Sequence, residues 1–347
     1  KQREGVDVRI VVECLYASNI NKKCVKRMRD LGLEVVVAHD FLHLKTFSAV
    51  MHNKFWIRDG EEAILGGQNM QDFTNLSDGF SGMSRDTDVH VVGPAVTDLM
   101  AAYTDLWNTQ KRPTNLPLLP NQNTIAERKA QERQAGLRGM NSYEQPMNGV
   151  CRVLVQNAGA KNHAIAPVIG EYFKRANGQI TFSSPSLEFK GRAKELRNIL
   201  VDTTSRGVKV DVISNGIDGA TGFLDDQLQK IEAQLTIEQK PFLRRLLRGL
   251  HIFADKKVAS ANRKNLLDLS KVPGVRTWTY FNFIHAKQYL IDHTLSIVGS
   301  FNFDKHSSSL NHEAAILCFD ETLRNELNVQ LTKDLYNSIP VVSQNGK

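Results

Sequence analysis

The sequence lacks several features that would place a protein in a class at once. It holds no run of about eighteen apolar residues, so no segment is suited to a transmembrane helix. Cysteine is scarce, with four in 347 residues, and no pair has the C-x-x-C spacing of a zinc site. A structural zinc site and a disulfide scaffold are therefore not expected. A single bridge, for instance between Cys14 and Cys24, stays open, and with it the redox compartment.

Nucleotide-binding signatures are also missing, since the chain has neither a Walker loop nor a dinucleotide fingerprint. Hydrophobic residues make up 41% and charged residues 23%, which is ordinary for a globular protein and excludes a disordered or fibrous chain. The 44 Lys and Arg exceed the 37 Asp and Glu, giving a net charge of +7. This excess either only aids solubility or indicates a phosphate-rich partner, such as an anionic membrane or a nucleic acid.

Strand-like and helix-like patterns alternate along most of the chain, which is typical of an α/β fold with helices on the faces of a sheet. The length suggests roughly two domains at about 150 residues each. We expect residues 1–112 to form a first lobe and residues 150–347 a second. Residues 113–149, rich in Pro, Asn and Gln, are expected to form a polar linker.

An internal repeat relates the two halves. Four residue types recur 233 positions later at the same spacing: His52, Lys54, Asp59 and Asn69 match His285, Lys287, Asp292 and Asn302. A weaker match, between Arg3–Val8 and Ser205–Val210, has an offset of 202. The difference between the two offsets, 233 and 202, predicts an insertion of 31 residues in the second half, within residues 216–258.

The second half also begins with a helix and a strand, within Ile165–Ser184, that have no counterpart in the first half. We therefore expect about one β-α unit of the first lobe to be absent from this sequence or supplied from upstream. A signal peptide or membrane anchor is an alternative expectation for the region before Lys1.

Each copy of the repeat reads H-x-K-x4-D and is followed by Gly-x-x-Asn. The expected strands are Met51–Ile57 with Ala63–Leu65, and His285–Ile291 with Ser296–Val298, as two hairpins. Residues two apart on a strand share a face, so His and Lys project together and Asn returns on the next strand. Two such sets would enclose one tetrahedral anion, as phosphoryl chemistry requires. An exposed strand edge would not explain the same residues occurring twice.

On this duplicated HKD motif the chain resembles the phospholipase D superfamily, over most of its length. The finer resemblance is to cardiolipin synthases and related bacterial phosphatidyltransferases. It is carried by Met51–Lys54, Gly66–Asn69, Arg85–Val96, Gly299–Ser307 and Leu310–Glu313. Two departures weaken the choice of substrate. His306 stands where Arg is usual, and Ser184-Pro185-Ser186 replaces a common Pro-Tyr-Phe.

The resemblance implies two lobes related by a pseudo-twofold axis, each a mixed sheet flanked by helices, with one active site at their interface. It implies that one His forms a phosphohistidine and the other acts as general acid and base. We assign these roles to His52 and His285 respectively, although they could be exchanged.

The remaining assignments follow from the same resemblance. The phosphate oxygens are expected to be held by Lys54, Lys287, Asn69 and Asn302, with Gly67 and Ser300 beside them in substrate binding. Glu313 and one of Asp86 and Asp88, with Asp86 the better fit, are expected to orient the histidines. Asp59 and Asp292 are expected to brace the strand ends. No metal and no cofactor is expected, because two Lys and a protonated His supply the positive charge.

The expected activity is phosphodiester transfer or hydrolysis on glycerophospholipids, by a monomer, at a membrane surface. The alternative is a metal-independent nuclease of the same superfamily, which should present a continuous basic groove. Localisation stays open between the periphery of a bacterial membrane, on its cytoplasmic or periplasmic face, and secretion. Pro241–Phe253, within the insertion, is equally consistent with a helix at a lipid surface and one packed on the core.

Overall fold

A computed structural model of the chain shows three β-sheets among the residues that it describes, one of eight strands, one of three and one of two. The structure describes residues 4–13, 22–38, 50–69, 84–110, 112, 114–119, 151–158, 163–216 and 260–341. The predicted linker 113–149 lies outside the described residues except for 114–119, and the predicted insertion 216–258 lies outside them except for Gly216. The segment Pro241–Phe253 is likewise outside them.

The elements of the first half are β1 (Arg9–Glu13), α1 (Lys22–Asp30), β2 (Glu34–Ala38), β3 (Phe55–Arg58), β4 (Glu62–Gly66), β5 (Asp88–Val92) and α2 (Ala95–Thr109). Those of the second half begin with β6 (Cys151–Gln156), α3 (Ile165–Arg175), β7 (Gln179–Ser183), α4 (Arg192–Thr204), β8 (Lys209–Asn215) and helix α5 at 260–270. They continue with β9 (Val275–Tyr280), β10 (Gln288–Ile291), β11 (Leu295–Gly299), α6 (Lys305–Ser309), β12 (Glu313–Cys318), α7 (Glu321–Tyr336) and β13 (Ser338–Pro340).

The large sheet belongs to the second half and has the order β13-β9-β8-β7-β10-β11-β12-β6. Strands β7, β8 and β9 pair in parallel, whereas the other neighbours pair antiparallel. Every residue of β8 after Lys209 is buried, as expected for a central strand whose two faces are covered. Helices α3 and α4 pack on one face through a cluster that includes Phe173, Leu200 and Tyr289. The expected mixed α/β fold with flanking helices is confirmed.

The repeat extends to the backbone of the two hairpins. Strands β3 and β4 pair with the same register as β10 and β11, since Phe55 faces Leu65 and Gln288 faces Val298. Asp59 and Asp292 stand at the same position in the turns, with φ of 53° and 52°. A left-handed conformation at matching Asp residues is consistent with the tolerance of Asp for this region.

Buried apolar side chains from both halves form one cluster. From the first half it contains Ala63, Leu65, Val91, Val96 and Leu99, and from the second Ile213, Ile284, Leu290, Val298 and Ile316. Burying one such Val, Leu or Ile stabilises a fold by about 1.5–3 kcal/mol. The first-half hairpin is therefore held against the large sheet by a shared core, and this contact fixes the motifs relative to each other.

A disulfide joins Cys151 to Cys318, which face each other on the paired strands β6 and β12 with Cα atoms 4.1 Å apart. The sequence left open a bridge between Cys14 and Cys24. Cys24 is instead a free, exposed thiol, and Cys14 lies outside the described residues. Within the part of the chain that the structure describes, no helix is long and apolar enough to cross a bilayer.

Candidate active site

The two His-x-Lys pairs lie just before the hairpins rather than within the strands. The predicted strands Met51–Ile57 and His285–Ile291 included the motif residues, but β3 begins at Phe55 and β10 at Gln288. This part of the prediction is wrong, because the backbone before each strand pairs with the other half of the chain. His52 N–H donates to His312 O at 3.0 Å, and His285 N–H donates to Arg85 O at 2.7 Å.

The first histidine is fixed by a buried carboxylate. Nδ1 of His52 lies 3.0 Å from both carboxylate oxygens of Glu313, whose side chain is fully buried. Three further side chains donate to this carboxylate: Ser300 Oγ, Ser307 Oγ at 2.6 Å and Asn311 Nδ2 at 3.2 Å. Glu313 is therefore held by direct contacts on both oxygens, and the imidazole of His52 has a fixed orientation.

The second histidine is fixed in the same way by Asp86. Nδ1 of His285 lies 2.6 Å from Asp86 Oδ2, and the Thr87 N–H donates to Asp86 Oδ1 at 2.9 Å. Asp88 points elsewhere and accepts from the Gln68 N–H at 3.1 Å. The structure therefore brings Asp86 rather than Asp88 to His285.

Each orienting carboxylate comes from the opposite half of the chain. Isolated backbone bridges explain how, because Met51 pairs with His312 and Ile284 pairs with Arg85. Met51 and Ile284 precede the two motif histidines, whereas His312 and Arg85 precede the two carboxylates. Backbone pairing between the halves therefore brings each carboxylate to the histidine of the other half.

The two lysines share one geometry. Lys54 Nζ donates to His52 O and Lys287 Nζ donates to His285 O, each at 2.5 Å. Burial lowers the pKa of Lys54 to about 8, against the attraction of Glu313. Burial lowers the pKa of Lys287 to about 7, although nearby Asp86 favours its charged form. Near neutral pH Lys54 is therefore mostly charged and Lys287 is about half charged, and a nearby anion would favour the charged form of both.

The imidazoles are also disfavoured as cations. Burial, followed by repulsion from Lys287, lowers the pKa of His285 to about 4, against the attraction of Asp86. Burial lowers the pKa of His52 too, against the attraction of Glu313. Burial would raise the pKa of Asp86, but His285 and Lys287 lower it to about 2. The carboxylates are therefore ionised, and a bound phosphodiester anion would raise the pKa values of the histidines and lysines.

Of the predicted Asn and small residues, Gly67 and Ser300 lie against the two orienting carboxylates. Asn302 Oδ1 is buried and has no hydrogen-bond partner among the described residues, and Asn69 is partly buried. A Cβ on Gly67 would lie 2.1 Å from Asp86 Oδ1, so this position must be small for Asp86 to pack. The hydroxyl of Ser300 donates to Glu313. Substrate contacts of Gly67 and Ser300 stay predictions.

The two motif aspartates lie in the hairpin turns, outside the histidine–lysine sets. The Asp292 carboxylate accepts the backbone N–H groups of Asn177, Gly178 and Gln179 at 2.9, 2.8 and 3.1 Å, which fixes the start of β7. Asp59 occupies the matching turn of the first hairpin.

Sequence reasoning missed several residues behind the histidines. Ser307 and Asn311 were quoted only for the resemblance, yet both hold Glu313. Asp334 was not singled out, because it is one acidic residue on an otherwise unremarked helix, and only the fold brings it to Arg85. A signal existed for Ser307 and Asn311, since they lie in the motif segments Gly299–Ser307 and Leu310–Glu313.

Several known proteins are similar to this chain. Residues 169–335 match the family model described as "Cardiolipin synthase, PLD-like domain". The chain is 24% identical to a cardiolipin synthase of Oceanobacillus iheyensis, covering 97% of the chain and 59% of that protein. It is 25% identical to the major cardiolipin synthase of Bacillus subtilis, covering 96% of the chain and 59% of that protein. The chain thus spans about three fifths of these relatives' length.

A solved structure shows the same fold. The phosphatidylserine synthase of Haemophilus influenzae superposes with a TM-score of 0.66 at 12% identity, covering 96% of this chain and 75% of that one. At this identity the likeness concerns the fold alone. The resemblance predicted from the duplicated HKD motif is confirmed to this extent: residues 169–335 match a cardiolipin synthase, PLD-like domain, and cardiolipin synthases are similar to the chain over nearly its whole length.

Proposed function

We propose that the chain transfers or hydrolyses the phosphatidyl group of glycerophospholipids through a phosphohistidine, in the manner of a cardiolipin synthase or a phospholipase D. One observation carries the proposal. Two partly buried histidines each have Nδ1 fixed on a carboxylate from the opposite half, and each has a lysine two residues later. This arrangement supplies a nucleophile, an acid and cationic donors to one phosphodiester.

His52 is the proposed nucleophile. If Nδ1–H donates to Glu313, the lone pair of Nε2 is free to attack phosphorus. Lys287 Nζ lies 2.9 Å from Nδ1 and 3.0 Å from Nε2 of His285, so the ammonium lies over this ring, whereas no described residue hydrogen-bonds to Nε2 of His52. A cation this close makes the His285 ring a weaker nucleophile and a stronger acid, which favours attack by His52. The P–N bond then forms as the bond from phosphorus to the departing alcohol oxygen breaks.

His285 is the proposed acid and base. As an imidazolium, supported by Asp86, it gives its Nε2 proton to the departing alcohol oxygen. The neutral imidazole then takes a proton from water or an incoming alcohol, whose oxygen attacks phosphorus while the P–N bond breaks. Lys54, Lys287 and the motif asparagines would stabilise the phosphate oxygens during both steps.

The lipid substrate is supported by the names of the relatives, which are cardiolipin synthases over nearly the whole of this chain. In this proposal the first substrate is a phospholipid such as phosphatidylglycerol. The acceptor is water, an alcohol or a second phospholipid.

The test incubates the chain with phosphatidylglycerol vesicles, phosphatidylcholine vesicles and single-stranded DNA, each in EDTA. Cardiolipin from phosphatidylglycerol would identify a synthase, and phosphatidic acid alone a hydrolase. DNA cleavage without lipid turnover would contradict the proposal and favour a nuclease. His90→Ala is the control for the motif variants, because His90 is an exposed histidine on β5 whose ring hydrogen-bonds to Glu62.

A further inference from the structure

A ring of buried hydrogen bonds lies behind the pair formed by His285 and Asp86. Arg85 Nη1 donates to Thr87 Oγ1 at 2.8 Å, and Thr87 Oγ1 donates to Gln288 Oε1 at 2.7 Å. Gln288 Nε2 donates to Asp334 Oδ2 at 2.8 Å, and Asp334 closes the ring by accepting from Arg85. The ring therefore brackets Asp86 on both sides in sequence and reaches the residue after Lys287.

Arg85 ties this ring to the active-site backbone. Its carbonyl accepts the N–H groups of His285 at 2.7 Å and Ala286 at 3.1 Å. Its guanidinium donates to the carbonyl oxygen of Asp86 as well as to Thr87. The side chain of Arg85 thus fixes the peptide groups beside Asp86, and the backbone of Arg85 fixes those beside His285.

Asp334 anchors the guanidinium. It lies on α7 and is 1% exposed. Its carboxylate accepts from Arg85 Nε at 2.9 Å and Nη2 at 3.1 Å, from Gln288 at 2.8 Å and from Gln330 Nε2 at 3.0 Å. A buried carboxylate is tolerated when it is paired and fully hydrogen-bonded, as here, and a bidentate pair also fixes the plane of the guanidinium.

The two orienting carboxylates differ in how they are supported. Glu313 receives three side-chain donors besides His52. Within the described residues, Asp86 has His285 and the Thr87 N–H as its hydrogen-bond partners. The direction of the Asp86 carboxylate therefore depends on the backbone that carries it, and this backbone is held by Arg85.

We propose that Asp334 is a positioning residue for His285, which acts through Arg85 to hold the Asp86 carboxylate against the imidazole. The expected effect on kcat rests on the proposed function, whereas the expected effect on the orientation of His285 does not. Asp334 lies on the last long helix of the chain, so this helix is coupled to one histidine of the site and not to the other.

The test compares Asp334→Asn with Asp211→Asn. Asp211 is a matched control, since it is fully buried and holds Arg276 in a bidentate pair at 2.8 and 2.6 Å. It also accepts from Trp278 and Gln179, and among the described residues its side-chain partners include none of the motif histidines and lysines. For Asp334→Asn we expect kcat to fall about 10–100-fold, the range found for groups that orient catalytic ligands, with KM changed less than about threefold. The pH–rate profile should move, and the NMR titration of the His285 ring should shift with it.

Asp211→Asn is expected to lower the thermal midpoint while leaving kcat, the profile and the His285 titration as in the wild type. Thr87→Val removes the two bonds that Thr87 Oγ1 makes in the ring but leaves the pair of Arg85 with Asp334. It should give a smaller shift in the same direction, which covers the case in which Asp334→Asn does not fold. If both aspartate variants lower activity only in proportion to lost folded protein, with unchanged profiles, the positioning role is wrong. If the wild type turns over no phospholipid, the proposed function fails, while the His285 titration still decides the positioning role.

Discussion

The imidazole of His285 lies 2.6 Å from the carboxylate of Asp86, a residue 199 positions earlier in the chain. His52 has the corresponding contact with Glu313, 261 positions later. Each histidine is therefore oriented by the half of the chain to which it does not belong. Neither half contains a complete histidine–carboxylate pair, so the site exists only when the halves are packed together.

Replacing either carboxylate by its amide should lower activity strongly. Asp86→Asn and Glu313→Gln remove the charge that supports the imidazolium and leave the wrong ring tautomer favoured, which costs about 10²–10⁴ in kcat in comparable histidine–carboxylate pairs. The two variants should retain the circular dichroism spectrum of the wild type. Asp88→Asn is the matched control, because Asp88 contacts the Gln68 N–H and not a histidine, and near-wild-type rates are expected for it. Equal losses in Asp86→Asn and Asp88→Asn would contradict the assignment.

Anion binding should be accompanied by proton uptake. At pH 8 the ammonium of Lys287, with a pKa of about 7 in the empty site, is mostly deprotonated, and Lys54, with a pKa of about 8, is half deprotonated. A bound anion raises both pKa values, so protons are taken up from the buffer. The number of protons taken up per bound anion is measured by calorimetric titration with inorganic phosphate in two buffers of different ionisation enthalpy.

The control for proton uptake is Lys287→Met, in which the uptake at pH 8 should be smaller than in the wild type. Lys190→Met, at an exposed lysine paired with Glu188, should behave as the wild type. Phosphate binding without net proton uptake in the wild type would show that the lysines are already charged in the empty site.

The disulfide should contribute to stability and not to chemistry. It closes a long loop, since Cys151 and Cys318 are 167 positions apart, and removing a native bridge costs about 2–5 kcal/mol. Denaturant unfolding of the Cys151→Ala, Cys318→Ala double variant should show this loss. Activity at 25 °C should persist, because Glu313, at the other end of β12, keeps its side-chain donors. Cys24→Ala is the control, and an unchanged midpoint in the double variant would contradict a bridge.

Sequence reasoning reached the local features and missed the distant ones. The two hairpins were predictable because strand-like patterns and turn residues are local signals. The spacing of the HKD residues revealed the repeat, but His52, Lys54, His285 and Lys287 lie before the strands rather than on them. The start of β3 at Phe55 could not be predicted, since the backbone of His52 pairs with a residue 260 positions away. The same reason explains why Cys151–Cys318 was missed, because the register between β6 and β12 has no local signal.

The identity of the nucleophile is tested most directly by trapping the covalent intermediate. A p-nitrophenyl phosphodiester has a leaving group that needs little protonation, so the first step should proceed without the general acid. We expect alkaline quenching and peptide mass spectrometry to find phosphorus on His52 in the wild type, and more of it in His285→Ala, where the second step lacks its base. His52→Ala should carry no label. Label on His285 in the wild type, or retained label in His52→Ala, would contradict the assignment of His52 as nucleophile.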